Sequence, residues 1–412
     1  MTQLPAAFTE KTRLLMGEER FERYLQSFEE EPPVSIRLNP EKMADGRWQM
    51  AVSHEPVPWC RNGYYLKQRP SFTMDPLLHA GCYYVQEAAS MFLDEALRQM
   101  HNAYVNHQPS AIRPLTALDL CAAPGGKSTL LRSALPKDCV LYSNEPIRNR
   151  ANILLENVTK WGYENHIVTN NYPKDYRRAK LGFDLILCDV PCSGEGMFRK
   201  DEATIREWSE QNVEKCWQLQ RDIVDDAWHC LNSGGLFIYS TCTFNTKENE
   251  ENIRYFLQHY DDMEVVPIDI RPEWNITGSL LEDFHEAVYR FIPGITRSEG
   301  LFMCVLRKSL PPVPSQKRGR QEALNILTSN IRRQTSDIKV DLDYKSAISY
   351  LRGEALVLPE ETPRGEVTVC FQGHSLGPVK NIGSRANNLY PKEWRIRTTH
   401  IPTEYEPILK KI

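Results

Sequence analysis

The 412-residue sequence lacks an apolar run long enough to span a membrane, and it has no overall excess of positive charge. The first residues, MTQLPAAFTEKTRLL, carry charges where a signal peptide needs an apolar core, so we expect a cytoplasmic protein with no membrane partner. The net charge of −4 is no nucleic-acid signature, but its distribution is uneven. Residues 309–412 hold 16 Lys and Arg and 11 Asp and Glu, a net +5, so the remainder stands at −9. Ordinary solvated charge also accounts for that difference.

The 11 cysteines are scattered and include no C-x-x-C pair. This argues against a zinc knuckle and against a disulfide framework, and we predict no metal site. It favours reduced thiols, some of which could be catalytic. A composition of 41% hydrophobic and 25% charged residues is typical of globular proteins, and the length suggests two or three domains.

The stretch Thr116–Ser128, TALDLCAAPGGKS, predicts a strand, a glycine turn and the start of a helix. Such a turn lets a small molecule approach the backbone and the first N–H groups of the helix. It lacks the G-x-G-x-x-G dinucleotide fingerprint, and Cys121 stands where a P-loop has its first glycine. Asp119 and the Gly125–Gly126 pair favour an S-adenosylmethionine pocket over a phosphate loop or a plain βα turn.

Strands alternate with helices after this turn, which predicts a mostly parallel, doubly wound α/β sheet. We predict strands over 139–145, 166–169, 183–189, 235–240 and 301–306, and a helix over 147–161. Ligands bind at the carboxyl ends of such strands. Glu145, at the end of the second strand, is placed to accept the hydroxyls of a ribose.

The residues before the turn predict a small α+β unit. Residues 1–30 show helical spacing, 34–39 alternate like a strand, and 59–66 give another strand-like piece. A helix is predicted over 83–100 and a polar loop over 101–114. Gln86, Ser90 and Met91 could line the cofactor pocket or simply form a helix face. Arg37 is expected to be a solvated strand arginine rather than a phosphate contact.

Two short motifs carry the candidate chemistry. Asp189-Val190-Pro191-Cys192 follows the fourth strand, and Ser240-Thr241-Cys242-Thr243 ends the fifth, so both cysteines belong at one rim of the sheet. Carbon 5 of a pyrimidine attacks a methyl sulfonium only after a thiolate has added to carbon 6. A carboxyl held near ring N3, the role that suits Asp189, stabilises the charge that develops. The residues alone leave open which cysteine attacks, and single cysteines at strand ends are usually structural.

These motifs resemble those of the Nop/Sun family of RNA cytosine-C5 methyltransferases. The resemblance rests on LDLCAAPGGKS, DVPCSGEG and STCT, with SIRLNP and YYVQEAASM looking like N-terminal motifs. The tail strings LGPVKN and NLYPKEWRIR look like the C-terminal domain of bacterial RsmF-type members, which modify 16S ribosomal RNA. The implied fold is a Rossmann-like class I methyltransferase core with a small N-terminal α+β domain and a C-terminal RNA-binding domain, α/β or β-rich.

The resemblance also implies roles for individual residues. Cys242 would be the nucleophile, and Cys192 would help to release the methylated product. S-adenosylmethionine or the target base would be surrounded by Cys121, Ala122, Ala123, Pro124, Gly125, Gly126, Lys127, Glu145 and Asp189. The acid that the family usually has after the third strand is missing, and Asn170 or Asn171 would approach the adenine instead; we assign Asn171.

We therefore predict an N-terminal domain over 1–107, a methyltransferase core over 108–308, a linker over 309–320 and an RNA-binding, RsmF-type domain over 321–412, with a PUA-like fold as one option. The expected partner is RNA, above all 16S rRNA or the small ribosomal subunit, bound by a monomer. Two alternatives stay open: a transfer-RNA cytosine methyltransferase of the same family and a non-catalytic RNA-binding ribosome-assembly protein. A P-loop NTPase is rejected, because the first glycine of the loop is missing and no convincing strand for a Mg²⁺ site follows.

Overall fold

The computed structural model describes residues 3–105, 115–309, 324–327, 336–398, 402 and 404–412. These residues form a large mixed sheet flanked by helices, a small N-terminal sheet and a small C-terminal sheet. The predicted fold class is confirmed. The predicted linker over 309–320 lies outside the described residues apart from Ser309. In the described part of the chain, no helix has the length and apolar character that crossing a membrane requires.

The central sheet is parallel over its five middle strands. Its strands are β6 (Thr116–Asp119), β7 (Val140–Asn144), β8 (His166–Thr169), β9 (Phe183–Asp189), β10 (Leu231–Thr241), β11 (Met263–Val265), β12 (Tyr289–Phe291), β13 (Leu301–Lys308) and β14 (Ile326–Leu327). Their order in the sheet is β11-β13-β10-β9-β6-β7-β8-β14, with β12 paired to β13. β13 runs antiparallel to β10, and β14 is an antiparallel edge strand on β8.

Helices cover both faces of this sheet. They are α4 (Phe92–Val105), α5 (Gly126–Ala134), α6 (Arg148–Trp161), α7 (Pro173–Arg178), α8 (Glu202–Glu207), α9 (Glu210–Cys230) and α10 (Glu250–His259). Alternate strand residues enter two different cores: Leu185 and Leu187 point into one, and Ile186 into the other. Burial on both faces explains why these strands are continuous apolar runs in the sequence.

The N-terminal region pairs two helices with a sheet of order β3-β4-β1-β5. Its elements are α1 (Ala6–Met16), α2 (Glu18–Gln26), β1 (Val34–Leu38), β2 (Trp48–Met50), β3 (His54–Pro56), β4 (Gly63–Leu66), α3 (Pro76–His79) and β5 (Tyr83–Val85). The single helix predicted over 1–30 is wrong. Gly17, with φ of +76°, separates α1 from α2.

The helix predicted over 83–100 is also wrong in its first half. Tyr83–Val85 is a strand because it pairs antiparallel with β1, placing Leu38 opposite Tyr83. A 3₁₀ turn over Ala89–Met91 then leads into α4. α4 continues through Val105 into the segment predicted as a loop, and residues 106–114 of that segment lie outside the described residues.

The C-terminal region packs on the N-terminal sheet. It contains β15 (Lys339–Leu342), α11 (Tyr344–Leu351), β16 (Gly365–Phe371), β17 (His374–Asn381), β18 (Ala386–Asn388) and β19 (Leu409–Lys411). Strands β15 to β18 form one sheet, whereas β19 pairs with β2. Ile36 and Tyr83 share one hydrophobic core with Ile348, Val379 and Leu409. The two terminal regions are therefore joined through buried side chains.

Candidate active site

The turn between β6 and α5 forms one wall of a cleft at the carboxyl ends of the parallel strands. Asp119 ends β6, a cis peptide joins Ala123 to Pro124, and α5 begins at Gly126. Gly125 has φ of +116°, which an L side chain rarely adopts, so the turn requires glycine there. The cleft is lined by Tyr84, Val85, Gln86, Glu87, Ser90, Asp119, Cys121, Ala122, Ala123, Pro124, Gly126, Lys127 and Asp189.

Two polar atoms of the lining side chains are buried and have no hydrogen-bond partner among the described residues. They are Asp119 Oδ1 and Gln86 Nε2. Asp119 Oδ2 accepts a hydrogen bond from the Ser128 hydroxyl at 2.5 Å. Burial raises the pKa of Asp119 to about 7, against the lowering effect of that hydrogen bond. A cleft with one orphaned acceptor and one orphaned donor suits a polar ligand that carries both kinds of group, as S-adenosylmethionine does.

Glu145 directly follows β7 and is fully buried. Its Oε1 accepts the backbone N–H of Ile147 at 3.0 Å, and its Oε2 lies 3.4 Å from Arg150 Nη1. These contacts hold the carboxylate in one orientation at the end of the strand. The ribose contact stays a prediction.

Asn170 and Asn171 follow β8 and bind neighbouring backbone. The Asn170 amide donates to the carbonyls of Glu145 and Pro146, at 2.7 and 2.9 Å. The Asn171 amide accepts the Asn325 N–H at 3.1 Å and donates to the Asn325 carbonyl at 3.2 Å. Both ends of the Asn171 side chain are thus engaged by the segment that carries β14. Its approach to an adenine stays a prediction.

Asp189 and Lys127 form an ion pair on the floor of the cleft. Lys127 Nζ lies 2.8 Å from Asp189 Oδ2, and the Ser240 hydroxyl donates to Asp189 Oδ1 at 2.6 Å. Burial would lower the pKa of Lys127, but the attraction of Asp189 outweighs it and raises that pKa. The pair therefore keeps a proton at the base of the cleft, between the glycine turn and the ends of β9 and β10.

The structure brings the two predicted cysteines together. β9 and β10 are parallel neighbours with Asp189 opposite Ser240, so the loops that follow them meet. The sulfurs of Cys192 and Cys242 lie 3.0 Å apart, and the Cys242 N–H points at the Cys192 sulfur at 3.2 Å. The hydrogen bond with Cys242, burial and the charge of Glu248 all raise the pKa of Cys192. Cys192 is therefore a thiol that can donate to its neighbour.

A buried carboxylate fixes the loop after Cys242. Glu195 Oε2 accepts the backbone N–H groups of Phe244 and Asn245, at 2.8 and 2.9 Å. Glu195 Oε1 accepts from Trp208 Nε1 at 3.0 Å. Because Glu195 lies in the loop that also carries Cys192, it ties the two cysteine loops to each other.

A second buried carboxylate, Glu248, also connects the two cysteine loops. It lies in the loop after Cys242 and bonds to the loop that carries Cys192. It accepts the Ser193 N–H at 3.0 Å, the Asn245 amide at 2.8 Å and the Gln220 amide at 2.7 Å. Burial raises the pKa of Glu248. Our sequence analysis missed both acids, because glutamates in SGEG and KENEEN look like solvated charge. The only signal was their position just after the two cysteine motifs.

The neighbouring N-terminal residues differ partly from expectation. Gln86 and Ser90 line the cleft, whereas Met91 is buried in the hydrophobic core. Arg37 is 2% exposed, so the expectation of a solvated arginine is wrong. It lies beneath the glycine turn, bonded to Gln86 and Thr129.

Among the residues that the structure describes, no group of three His, Cys, Asp or Glu side chains could hold a metal ion.

Three family models match successive parts of the chain. Residues 111–307 match 16S rRNA methyltransferase RsmB/F, and residues 4–88 match the N-terminal domain of 16S rRNA methyltransferase RsmF. Residues 338–396 match the methyltransferase RsmF PUA domain. The PUA option considered for the C-terminal region is therefore confirmed.

Individual relatives agree with these matches. Ribosomal RNA small subunit methyltransferase F of Erwinia tasmaniensis is 26% identical, over 94% of this chain and 96% of that protein. Its counterpart in Pectobacterium atrosepticum is 33% identical over 76% of this chain and 64% of its own length, which is less than two thirds. The crystal structure of NSun6 from Pyrococcus horikoshii with SFG superposes with a TM-score of 0.57 at 18% identity, covering 74% of this chain and 98% of that one. At 18% identity, this structural similarity is evidence for a shared fold alone.

Proposed function

Because the chain belongs to the RsmB/F family of 16S rRNA methyltransferases, with the N-terminal and PUA domains of RsmF, we propose that it methylates carbon 5 of a cytosine in 16S rRNA. The methyl donor is S-adenosyl-L-methionine, and Cys242 forms a covalent bond to carbon 6 of the base. The observation that carries this proposal is the meeting of two thiols, Cys192 and Cys242, beside the Lys127–Asp189 pair.

The glycine turn and the cleft support the choice of methyl donor. The lining includes Asp119, residues 121–124, Gly126 and Lys127, which the sequence had assigned to cofactor binding. The orphaned atoms of Asp119 and Gln86 fit a ligand with an amino-acid end. The Pyrococcus relative was solved with SFG, an analogue of S-adenosylmethionine. When bound, S-adenosylmethionine supplies a methyl group on a positively charged sulfur, which departs as a thioether.

Cys242 starts the reaction in this proposal. Its thiolate adds to carbon 6 of the flipped cytosine, forming the sulfur–carbon bond and moving the ring π electrons toward carbon 5 and N3. Asp189 is assigned to N3, where negative charge develops. Lys127, 2.8 Å from Asp189, adds the positive charge of its ammonium at this position, which stabilises the negative charge that develops on the base.

The second half of the reaction releases the product. Carbon 5 takes the methyl group, a base removes the carbon 5 proton, the C5–C6 double bond forms again, and Cys242 leaves as a thiolate. Cys192, kept as a thiol by its raised pKa, lies 3.0 Å from the leaving sulfur and is positioned to donate a hydrogen bond to it. This contact supports a role for Cys192 in release of the product rather than in attack on the base.

The test is to supply methyl-labelled S-adenosylmethionine with unmethylated 16S rRNA, small subunits or transfer RNA, and to analyse the nucleosides by mass spectrometry. We expect 5-methylcytidine in 16S rRNA, as naked RNA or in the subunit, and none with Cys242→Ala. Label confined to transfer RNA would favour the alternative substrate within the family. No labelled nucleoside from any RNA would overturn the proposal and favour a non-catalytic assembly protein.

A further inference from the structure

Arg37 is a buried cation at the back of the cofactor cleft. Its guanidinium donates to Gln86 Oε1 at 2.7 Å, to the Thr129 hydroxyl at 2.6 Å and to the Gly126 carbonyl at 3.2 Å. All three partners are neutral. Its guanidinium carbon also lies 4.5 Å from the centre of the Trp161 ring. The charge of the buried Asp94 also acts on Arg37, but Asp94 is itself paired with Arg61. Buried charges in proteins are normally paired, so Arg37 favours a further anion nearby.

The contact with Arg37 fixes which way the Gln86 amide faces. A guanidinium only donates hydrogen bonds, so the amide oxygen must be the atom that faces it. Gln86 Nε2 is therefore the outward end. It is buried, and it has no partner in the described part of the chain. A Cβ built on Gly126 would lie 3.6 Å from Nε2, which places this donor at the first residue of α5.

Three features thus converge on one corner of the cleft. The N-terminus of the nine-residue helix α5 presents unpaired N–H groups and the positive end of its dipole. Gln86 adds a donor, and Arg37 adds a full positive charge behind both. The ammonium of Lys127 is already bonded to Asp189. A ligand carboxylate is the group that this corner matches.

We propose that Gln86 Nε2 binds the carboxylate at the amino-acid end of S-adenosylmethionine, and that Arg37 is the positioning residue that holds Gln86 for it. The inference rests on the proposed function, because it names the residues that receive that cofactor's carboxylate. It gives the N-terminal domain a direct part in cofactor selection, since Arg37 belongs to β1 and Gln86 directly follows β5.

The test compares two ligands that differ only in this group, S-adenosylmethionine and decarboxylated S-adenosylmethionine, by titration calorimetry. Gln86→Met keeps the length of the side chain and removes the donor. It should weaken S-adenosylmethionine roughly tenfold, the usual effect of losing a hydrogen bond to a charged group, and leave the decarboxylated ligand within about twofold. Arg37→Met should show the same selective loss. Gln26→Met, at an exposed position, is the matched control.

The ratio of the two affinities within one variant separates recognition from folding, because a partly unfolded sample loses both ligands equally. An equal loss of both ligands, or no loss of either, would overturn the carboxylate assignment while leaving cofactor use intact. Failure of the wild-type protein to bind S-adenosylmethionine at all would overturn the proposed function and this inference with it.

Discussion

The sulfurs of Cys192 and Cys242 lie 3.0 Å apart although 50 residues separate them in the chain. Their meeting follows from the pairing of β9 with β10, which sets Asp189 beside Ser240 and brings the two following loops together. Glu195 and Glu248 then fix those loops through hydrogen bonds to backbone N–H groups. The site is therefore built from the ends of two strands and from two buried acids that hold the following loops in place.

The Glu195→Gln substitution tests whether the hydrogen bonds of Glu195 hold the loop after Cys242 in place. An amide presents an N–H where the carboxylate accepted one, so it cannot satisfy the N–H groups of Phe244 and Asn245 together with Trp208. We expect the single-turnover methylation rate and the alkylation rate of Cys242 to fall at least about tenfold, equivalent to roughly 1.4 kcal/mol. Cofactor affinity should stay the same, because Glu195 does not line that cleft. Glu207→Gln, on an exposed helix, is the control, and wild-type rates for Glu195→Gln would refute the positioning role.

The pKa of Asp119 predicts a pH-dependent stability. Burial raises that pKa from 3.8 to about 7, so the folded protein binds this proton more tightly than the unfolded chain does. The contribution of Asp119 to the free energy of unfolding is therefore greatest below pH 4 and is lost as the pH rises to about 7. Asp119→Asn removes this dependence and should gain stability relative to wild type as the pH rises from 5 to 8.

Chemical unfolding at several pH values measures that difference. Asp138→Asn, at an exposed position, should show no such trend. Parallel stability profiles for Asp119→Asn and wild type would mean that the Asp119 carboxyl titrates normally.

The net positive charge of residues 309–412, here called the basic tail, predicts that this region binds RNA. Deleting the tail is a poor test, because Ile348, Val379 and Leu409 share a core with the N-terminal sheet. Lys380 and Arg385 instead lie exposed on the β17–β18 hairpin, and Arg364 is near Gly383 of its turn. Alanine at all three should weaken 16S rRNA binding and flatten its salt dependence by roughly 0.7 to 0.9 in the log–log slope per lost phosphate contact.

Cofactor affinity should not change in that triple variant, and alanine at the exposed Lys67 should leave both affinities as they are. An unaltered RNA affinity and salt slope in the triple variant would show that the hairpin contacts something other than RNA.

Sequence patterns predicted the central sheet well and the site only in part. Strands 166–169 and 183–189 have the predicted bounds. The second of them is mostly apolar because both of its faces are buried. The glycine turn and the two cysteine motifs could be predicted from the sequence, because few residue types can replace glycine in such a turn or cysteine in such chemistry. The burial of Arg37 could not be predicted, because its partners Gln86 and Thr129 lie 49 and 92 residues away. Tyr83–Val85 likewise forms a strand only because β1 lies beside it.

The measurement that tests the central claim most directly is the search for a covalent protein–RNA complex in the two cysteine variants. Each is incubated with 16S rRNA and S-adenosylmethionine and run on a denaturing gel, with Cys370→Ala, a buried cysteine of the C-terminal region, as the control. Cys192→Ala should accumulate a denaturant-resistant complex that requires S-adenosylmethionine and disappears when Cys242 is also replaced. Cys242→Ala should give neither a complex nor 5-methylcytidine. A complex trapped in Cys242→Ala and absent from Cys192→Ala would exchange the two roles, and full methylation by Cys242→Ala would contradict the covalent mechanism.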